Sequence, residues 1–259
     1  MSVPLLEMNR VTVMRGSRTA LVDVTLRIGA GEHVCILGPN GSGKSTLIKT
    51  ITRECYPLAR EDSWMTILGR ERWNVFELRN RLGIVSPDLL RACTTDATGR
   101  DVVISGFFSS TRIFPHHQPD PEHLERTGEA LRRLGIEHLA GRAVAEMSSG
   151  EAKRTLIARA LVHKPDTLLF DEPSNTLDIR AQFQLRDAMR ELARSGLAIV
   201  LVTHHVGEII PEMERVILLR RGQVLADGPK DSVLTEGNLQ TLFNVPVRLD
   251  KHDGFFHLY

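Results

Sequence analysis

Four short stretches of the chain hold residue types whose spacing can do chemistry. The first is "GPNGSGKST", made of Gly38, Pro39, Asn40, Gly41, Ser42, Gly43, Lys44, Ser45 and Thr46, directly behind the apolar run "EHVCIL". It fits the pattern G-x-x-x-x-G-K-[ST]. Glycines let a backbone wrap a phosphate without Cβ clashes, so successive N–H groups face its oxygens. A helix starting near Lys44 adds the positive end of its dipole. Lys44 then brings a mobile charge between the β- and γ-phosphates, and Ser45 a hydroxyl for Mg²⁺.

The second stretch, "TLLFDEP", ends an apolar run in Asp171 and Glu172. Asp171 suits the Mg²⁺ shell, and Glu172 is placed to polarise a water against the γ-phosphate. Read alone, Asp-Glu-Pro is a common strand-end turn; paired with the first stretch it gains a catalytic meaning. The third, "LAIVLVTHH", brings His204 to the end of another buried strand, where an imidazole can bond the γ-phosphate and orient the water. The fourth, "MSSGEAKRTLIARAL", opens a helix near Ser148 with a Ser-x-Gly turn, a second anion-ready N-terminus. One chain with one phosphate site has no use for two such ends on the same ligand. A ligand shared between two chains would explain it.

These residues need a scaffold, and the pattern around them supplies one. "RVTVMRG" and "LVDVTLRIGAGE" alternate as an antiparallel pair with one buried face. "HVCIL" is a continuous apolar run, as in a strand buried on both sides. From about Asp88 to Leu161 helical signals dominate. There "DPEHLERTGEALRRLG" offers Asp120 as cap, Pro121 at the first helical position, Leu124, Leu131 and Leu134 on one face, and Gly135 as stop. The βα rhythm resumes at "DTLLF" and closes with "RVILLRRGQVLADG", a hairpin turning near Gly222. The fold class expected is α/β: a P-loop nucleotide-binding core with N-terminal antiparallel strands and an inserted helical lobe. Residues 1–87 and 162–259 form the core and 88–161 the lobe, in one domain of 259 residues.

Composition narrows the function classes. Lys plus Arg is 33 against 32 for Asp plus Glu, so a net charge of +1 gives no footprint for nucleic acid or an anionic membrane. No apolar run approaches the ~20 residues of a membrane span, and the N-terminus lacks a signal-peptide pattern. Cys35, Cys55 and Cys93 show no metal-ligand spacing, which suits a reducing, cytoplasmic setting. The adjacent His116 and His117 lack a Cys or carboxylate frame and read as loop surface rather than metal ligands.

Taken together, the stretches resemble the ATP-binding cassette (ABC) ATPases over most of the chain. Gly38–Thr46 resembles the Walker A motif, "LLFDE" the Walker B motif, "MSSGE" the signature usually written LSGGQ, "SNTLD" (Ser174–Asp178) the D-loop, and His204 the switch histidine. The tail "NLQTLFNVPVRL" looks like ATPase subunits of iron-complex and cobalamin importers; the middle, "LGIVSPDLL…VVISGFF", looks more like molybdate-type and orphan bacterial cassettes. The resemblance implies an ATPase using Mg²⁺-ATP, a head-to-tail homodimer in which Ser148 and Gly150 touch the nucleotide held by the partner's Lys44, and a cytoplasmic subunit peripheral on the inner face of the cell membrane that serves separate integral-membrane permease subunits. A soluble cassette doing mechanical or regulatory work is the alternative. A single Walker A motif and the lack of a coiled-coil insertion argue against its best-known forms. A non-hydrolysing scaffold is disfavoured because Lys44, Asp171, Glu172 and His204 are all present.

The sequence departs from the family pattern in places. Ser149 and Glu151 replace the first glycine and the glutamine of the signature. No aromatic stands near Met14 or Arg15 to stack on adenine, where Arg15 can lay its guanidinium instead. Pro87 replaces the glutamine after "GIVS"; Ser86 or Asp88 is expected to take over its metal contact, with permease sensing weakened.

Overall fold

The computed structural model describes residues 2–259. The chain divides into two compact units, one formed by residues up to Val75 together with Ala198–Tyr259, the other by Phe76–Leu197.

In the first unit, β1 (Leu6–Arg15) pairs antiparallel with β2 (Arg18–Ile28) on one side and with β4 (Trp64–Ile67) on the other. Alternation holds through Val24, Leu26 and Ile28, which are buried between exposed neighbours. It breaks in β1, where Val11, Thr12 and Val13 are all buried behind a register shift at Arg10, whose φ is 51°. A bulge of this kind turns the strand and spoils a strict two-residue period. The buried strand β3 (Val34–Leu37) runs parallel between β7 (Ala198–Thr203) and β8 (Arg215–Arg220), and β9 (Gln223–Pro229) folds back antiparallel on β8. Arg221 and Gly222 take φ of 49° and 79° in the connecting turn, the left-handed pair that matches hairpin twist. Helix α1 (Lys44–Ile51) follows β3, while α8 (Lys230–Val233), α9 (Glu236–Phe243) and a hairpin of β10 (Leu249–His252) and β11 (Phe255–Leu258) end the chain.

In the second unit, α2 (Val75–Arg81) leads into β5 (Leu82–Val85), which pairs parallel with β6 (Thr167–Asp171). Between these strands lie α3 (Pro87–Cys93), α4 (Gly99–Ser105), α5 (Pro121–Arg133) and α6 (Ser149–Leu161); α7 (Ile179–Arg194) follows β6. Helix α5 starts as the sequence predicts: Pro121 is at the first turn and Asp120 accepts from the His123 N–H. Its apolar face differs. Thr127, Ala130, Leu131 and Leu134 are buried, but Leu124 in the first turn is 52% exposed, because burial begins only one turn into the helix.

Candidate nucleotide site

The Gly38–Thr46 loop and His204 belong to the first unit. Strand β3 is buried end to end, and its register with β7 sets Leu37 opposite Thr203. Gly38 N–H donates to the Thr203 carbonyl at 3.2 Å. The turn after Leu37 and His204 therefore leave the sheet side by side. Gly41 and Gly43 take φ of 77° and 107°; at Gly43 a Cβ would lie 2.6 Å from the Ala20 carbonyl oxygen, so only glycine fits.

The turn hands over to α1, whose N-cap is Gly43 and whose first turn receives no side-chain cap. Side chains cap α3, α4, α5, α6, α7 and α9. The orphan N–H groups of α1 thus face the loop that the glycines open. Lys44 is buried, and its ammonium reaches back across the loop to the Gly38 and Pro39 carbonyls at 2.8 and 3.0 Å. Ser45 is exposed at the same helix end. The loop is braced from behind: Gly222 N–H donates to the Ser42 carbonyl and Val22 N–H to the Gly222 carbonyl, both at 2.8 Å. Arg15, at the tip of the β1–β2 hairpin, contacts Cys55 Sγ at 3.6 Å.

Asp171, Glu172, Ser148 and Gly150 belong to the second unit. The register of β5 with β6 sets Val85 opposite Phe170, so Ser86 and Asp171 emerge together. Asp171 is 8% exposed. Glu172, half-buried, has a φ of 45°, and Asn175 Nδ2 donates to its Oε2 at 2.6 Å. Ser148 and Ser149 are exposed at the start of α6. The Ser148 hydroxyl accepts from the Glu151 N–H and donates to Glu151 Oε2 at 2.8 Å, closing a capping box. The backbone bond from Ser148, then its hydroxyl, hold the Glu151 carboxyl below its ordinary range. Gly150 packs against α7, where an added Cβ would meet Ala181 Cβ at 2.9 Å.

Around Pro87 the structure differs from the loop that the sequence suggests. Pro87 is the first residue of α3, not part of a loop. Ser86 is extended (φ −136°, ψ 155°) and its Oγ caps the helix by accepting from Leu89 N–H at 3.2 Å. Asp88 pairs with Arg91 at 2.5 Å. The two side chains expected to replace glutamine at a metal are therefore both engaged in α3. Among the described residues no group of three or more His, Cys, Asp or Glu is placed to hold a metal by itself. His116 and His117 stack instead with Phe114 and Phe108, at 5.7 and 4.3 Å between centroids. No helix among the described residues is long and apolar enough to cross a membrane. Cys35 and Cys93 are buried, and burial pushes both thiols up, away from the reactive thiolate.

A glycine turn between a buried parallel strand and an uncapped helix, with a lysine folded over it, defines a P-loop nucleotide-binding protein. Residues 21–175 match the family model described as ABC transporter, and the chain belongs to that family. Among its relatives are the uncharacterized ABC transporter ATP-binding protein YlmA of Bacillus subtilis, 30% identical over 95% of this chain and 93% of that protein, and the hemin import ATP-binding protein HmuV of Nocardia farcinica, 32% identical over 91% and 80%. The dimeric structure of MJ0796, a bacterial ABC transporter cassette, superposes with a TM-score of 0.70 at 27% identity, covering 86% of this chain and 98% of that one. The protein is an ABC-type ATPase, the ATP-binding and ATP-hydrolysing subunit that powers transport through a separate membrane permease.

Proposed function

We propose that two copies of this chain close head to tail on two ATP molecules. The Gly38–Thr46 loop takes the β- and γ-phosphates of one, and Ser148 and Gly150 of the partner copy touch that γ-phosphate. The carrying observation is that α1 starts without a side-chain cap, with Lys44 folded back over the loop, while Ser148 and Ser149 at the start of α6 are exposed. The Ser45 hydroxyl and the Asp171 carboxylate are hard oxygen donors of the kind Mg²⁺ selects, and these would hold it; the ion neutralises phosphate charge when bound. Glu172 accepts a proton from the attacking water and His204 orients it. Within this reading residues 1–87 and 162–259 are the ATP-binding core and 88–161 the lobe carrying the signature, and the subunit works at the cytoplasmic face of the membrane.

The hemin-import relative and the chain's own tail favour an importer of the iron-complex class. The permease holds the cargo, so this chain does not select it. Since Ser86 and Asp88 are engaged in α3, basal hydrolysis by the isolated protein is largely independent of the permease. Glu172→Gln tests the reading: hydrolysis should fall by about 10²- to 10⁴-fold, the worth of a positioned general base, and the variant should elute as a dimer with Mg-ATP. A variant that stays monomeric refutes the shared site, and one that still turns over refutes the base.

A further inference from the structure

Lys153 has no part in the chemistry derived above, yet it is only 5% exposed in the middle of α6. A buried ammonium is costly unless its donors are satisfied. Here they are satisfied by the segment that follows the second motif: Lys153 Nζ donates to the Pro173 carbonyl and, at 2.5 Å, to the Asn175 carbonyl. One turn earlier on the same helix, Ser149 Oγ donates to the Thr176 carbonyl at 3.2 Å. Two side chains of α6 thus hold three carbonyls of one tight turn, those of Pro173, Asn175 and Thr176.

That turn is strained. Glu172 and Thr176 take φ of 45° and 70°, the left-handed region that a residue with a Cβ seldom adopts and that persists only where its surroundings over-determine it. The turn's own backbone bonds are few: Asn175 N–H to the Glu172 carbonyl at 3.3 Å and Leu177 N–H to the Ser174 carbonyl at 3.0 Å. Lys153 holds the backbone of Asn175 in place, and the Asn175 side chain reaches Glu172 Oε2 at 2.6 Å.

We infer that Lys153 is a positioning residue for the general base. Its ammonium fixes the Pro173–Asn175 backbone, and Asn175 Nδ2 then fixes the rotamer of the Glu172 carboxylate that takes the proton from water. Because Ser148 and Gly150 begin the same helix, the γ-phosphate they touch on the partner's nucleotide is mechanically tied to the base of their own chain. An amide donor is suited to this work: it orients the carboxylate without protonating it. The inference rests on the reading of Glu172 as base, and the test separates the two.

The test is phosphate release by the full-length protein, with kcat and KM for ATP determined separately and nucleotide affinity measured by a fluorescent analogue. Lys153→Met keeps length but loses the donors, Lys153→Gln keeps an N–H₂, and Asn175→Asp swaps the donor for a carboxylate beside Glu172. We expect Lys153→Met and Asn175→Asp to lower kcat by about 10-fold or more, a fraction of the worth of the base itself. KM should hold within about 2-fold, and Lys153→Gln should recover part of the loss. In single-turnover assays on a Glu172→Gln background, neither substitution should lower the residual rate further, since there is no base left to orient. Unchanged kcat, a loss that follows nucleotide affinity, or a loss that multiplies with Glu172→Gln would each overturn the relay. If Glu172→Gln turns over normally, the base assignment is wrong and the relay falls with it; if only Glu172→Gln is inactive, the base stands and the relay alone is refuted. Asn175→Asp keeps the question open to refutation should Lys153→Met not fold, because Asn175 is half-buried rather than in the core.

Discussion

Glu151→Gln changes one charge and little else, and its two consequences have opposite signs. Glutamine is as good as glutamate at the third position of a capping box, so the bonds with the Ser148 N–H and hydroxyl persist. What disappears is a carboxylate already occupying the positive end of α6, where the partner's γ-phosphate is to bind. A charge at a helix end is worth about 0.3–1 kcal/mol. Two composite sites double it to about 0.6–2 kcal/mol, a tightening of the ATP-bound dimer by about 3- to 30-fold. The assay is sedimentation with Mg-ATP on Glu172→Gln protein with and without Glu151→Gln, so that hydrolysis does not empty the sites. The isolated chain should meanwhile melt about 1–3 °C lower. The pH dependence follows from the depressed Glu151 pKa: its stabilisation is fully present above the ordinary glutamate value, about 4.3, and is lost as pH falls through the lower folded value. The melting difference between the two proteins should therefore persist from neutral pH into mild acid and fade below. A dimer that is unchanged or weaker without the carboxylate would show that the partner phosphate does not approach α6.

Lys44→Ala should abolish ATP binding, because nothing else in the loop neutralises the β- and γ-phosphates; tight binding of a fluorescent nucleotide by this variant would remove the site assignment. Arg15→Ala should weaken ATP by about 2- to 5-fold through lost stacking on the base, the range of an exposed cation–π contact, while Arg15→Trp should strengthen it, as titration would show. Pro87→Gln should alter basal turnover only modestly, with Ser86 still capping α3. A basal rate near zero that a co-purified membrane partner raises by orders of magnitude would contradict that.

The parts of this fold that were legible are those whose causes are local. Gly43 must be glycine for its own φ, Asp120 caps the turn that follows it, and β3 is apolar because both of its faces are covered. Leu124 lies on the periodic face yet is exposed, because periodicity marks a helical face without marking where burial along that face begins. The strand β4 carries only four residues, two of them buried, too short for a period to show. The β10–β11 hairpin turns on Asp253 and Gly254, with φ of 51° and 80°, and the Asp-Gly pair is a local signal for it in the sequence. Lys153 could not be found at all: within "GEAKRTL" it looks like a solvated surface lysine, and only the carbonyls of a turn 20 residues away give it a role.

The β8–β9 turn has a consequence for synthesis. Its Gly222 clasps Ser42 and Val22 from the far end of the chain, and β7 and β8, the neighbours of β3, are also made late. A nascent chain that has emerged as far as Glu172 already carries the phosphate loop and both acidic residues, yet lacks the strands that flank β3 and the Gly222 brace behind the loop. Nucleotide affinity thus arises only after β7, β8 and the turn at Gly222 have been made. A fragment truncated before Ala198 cannot compete with the finished subunit for ATP.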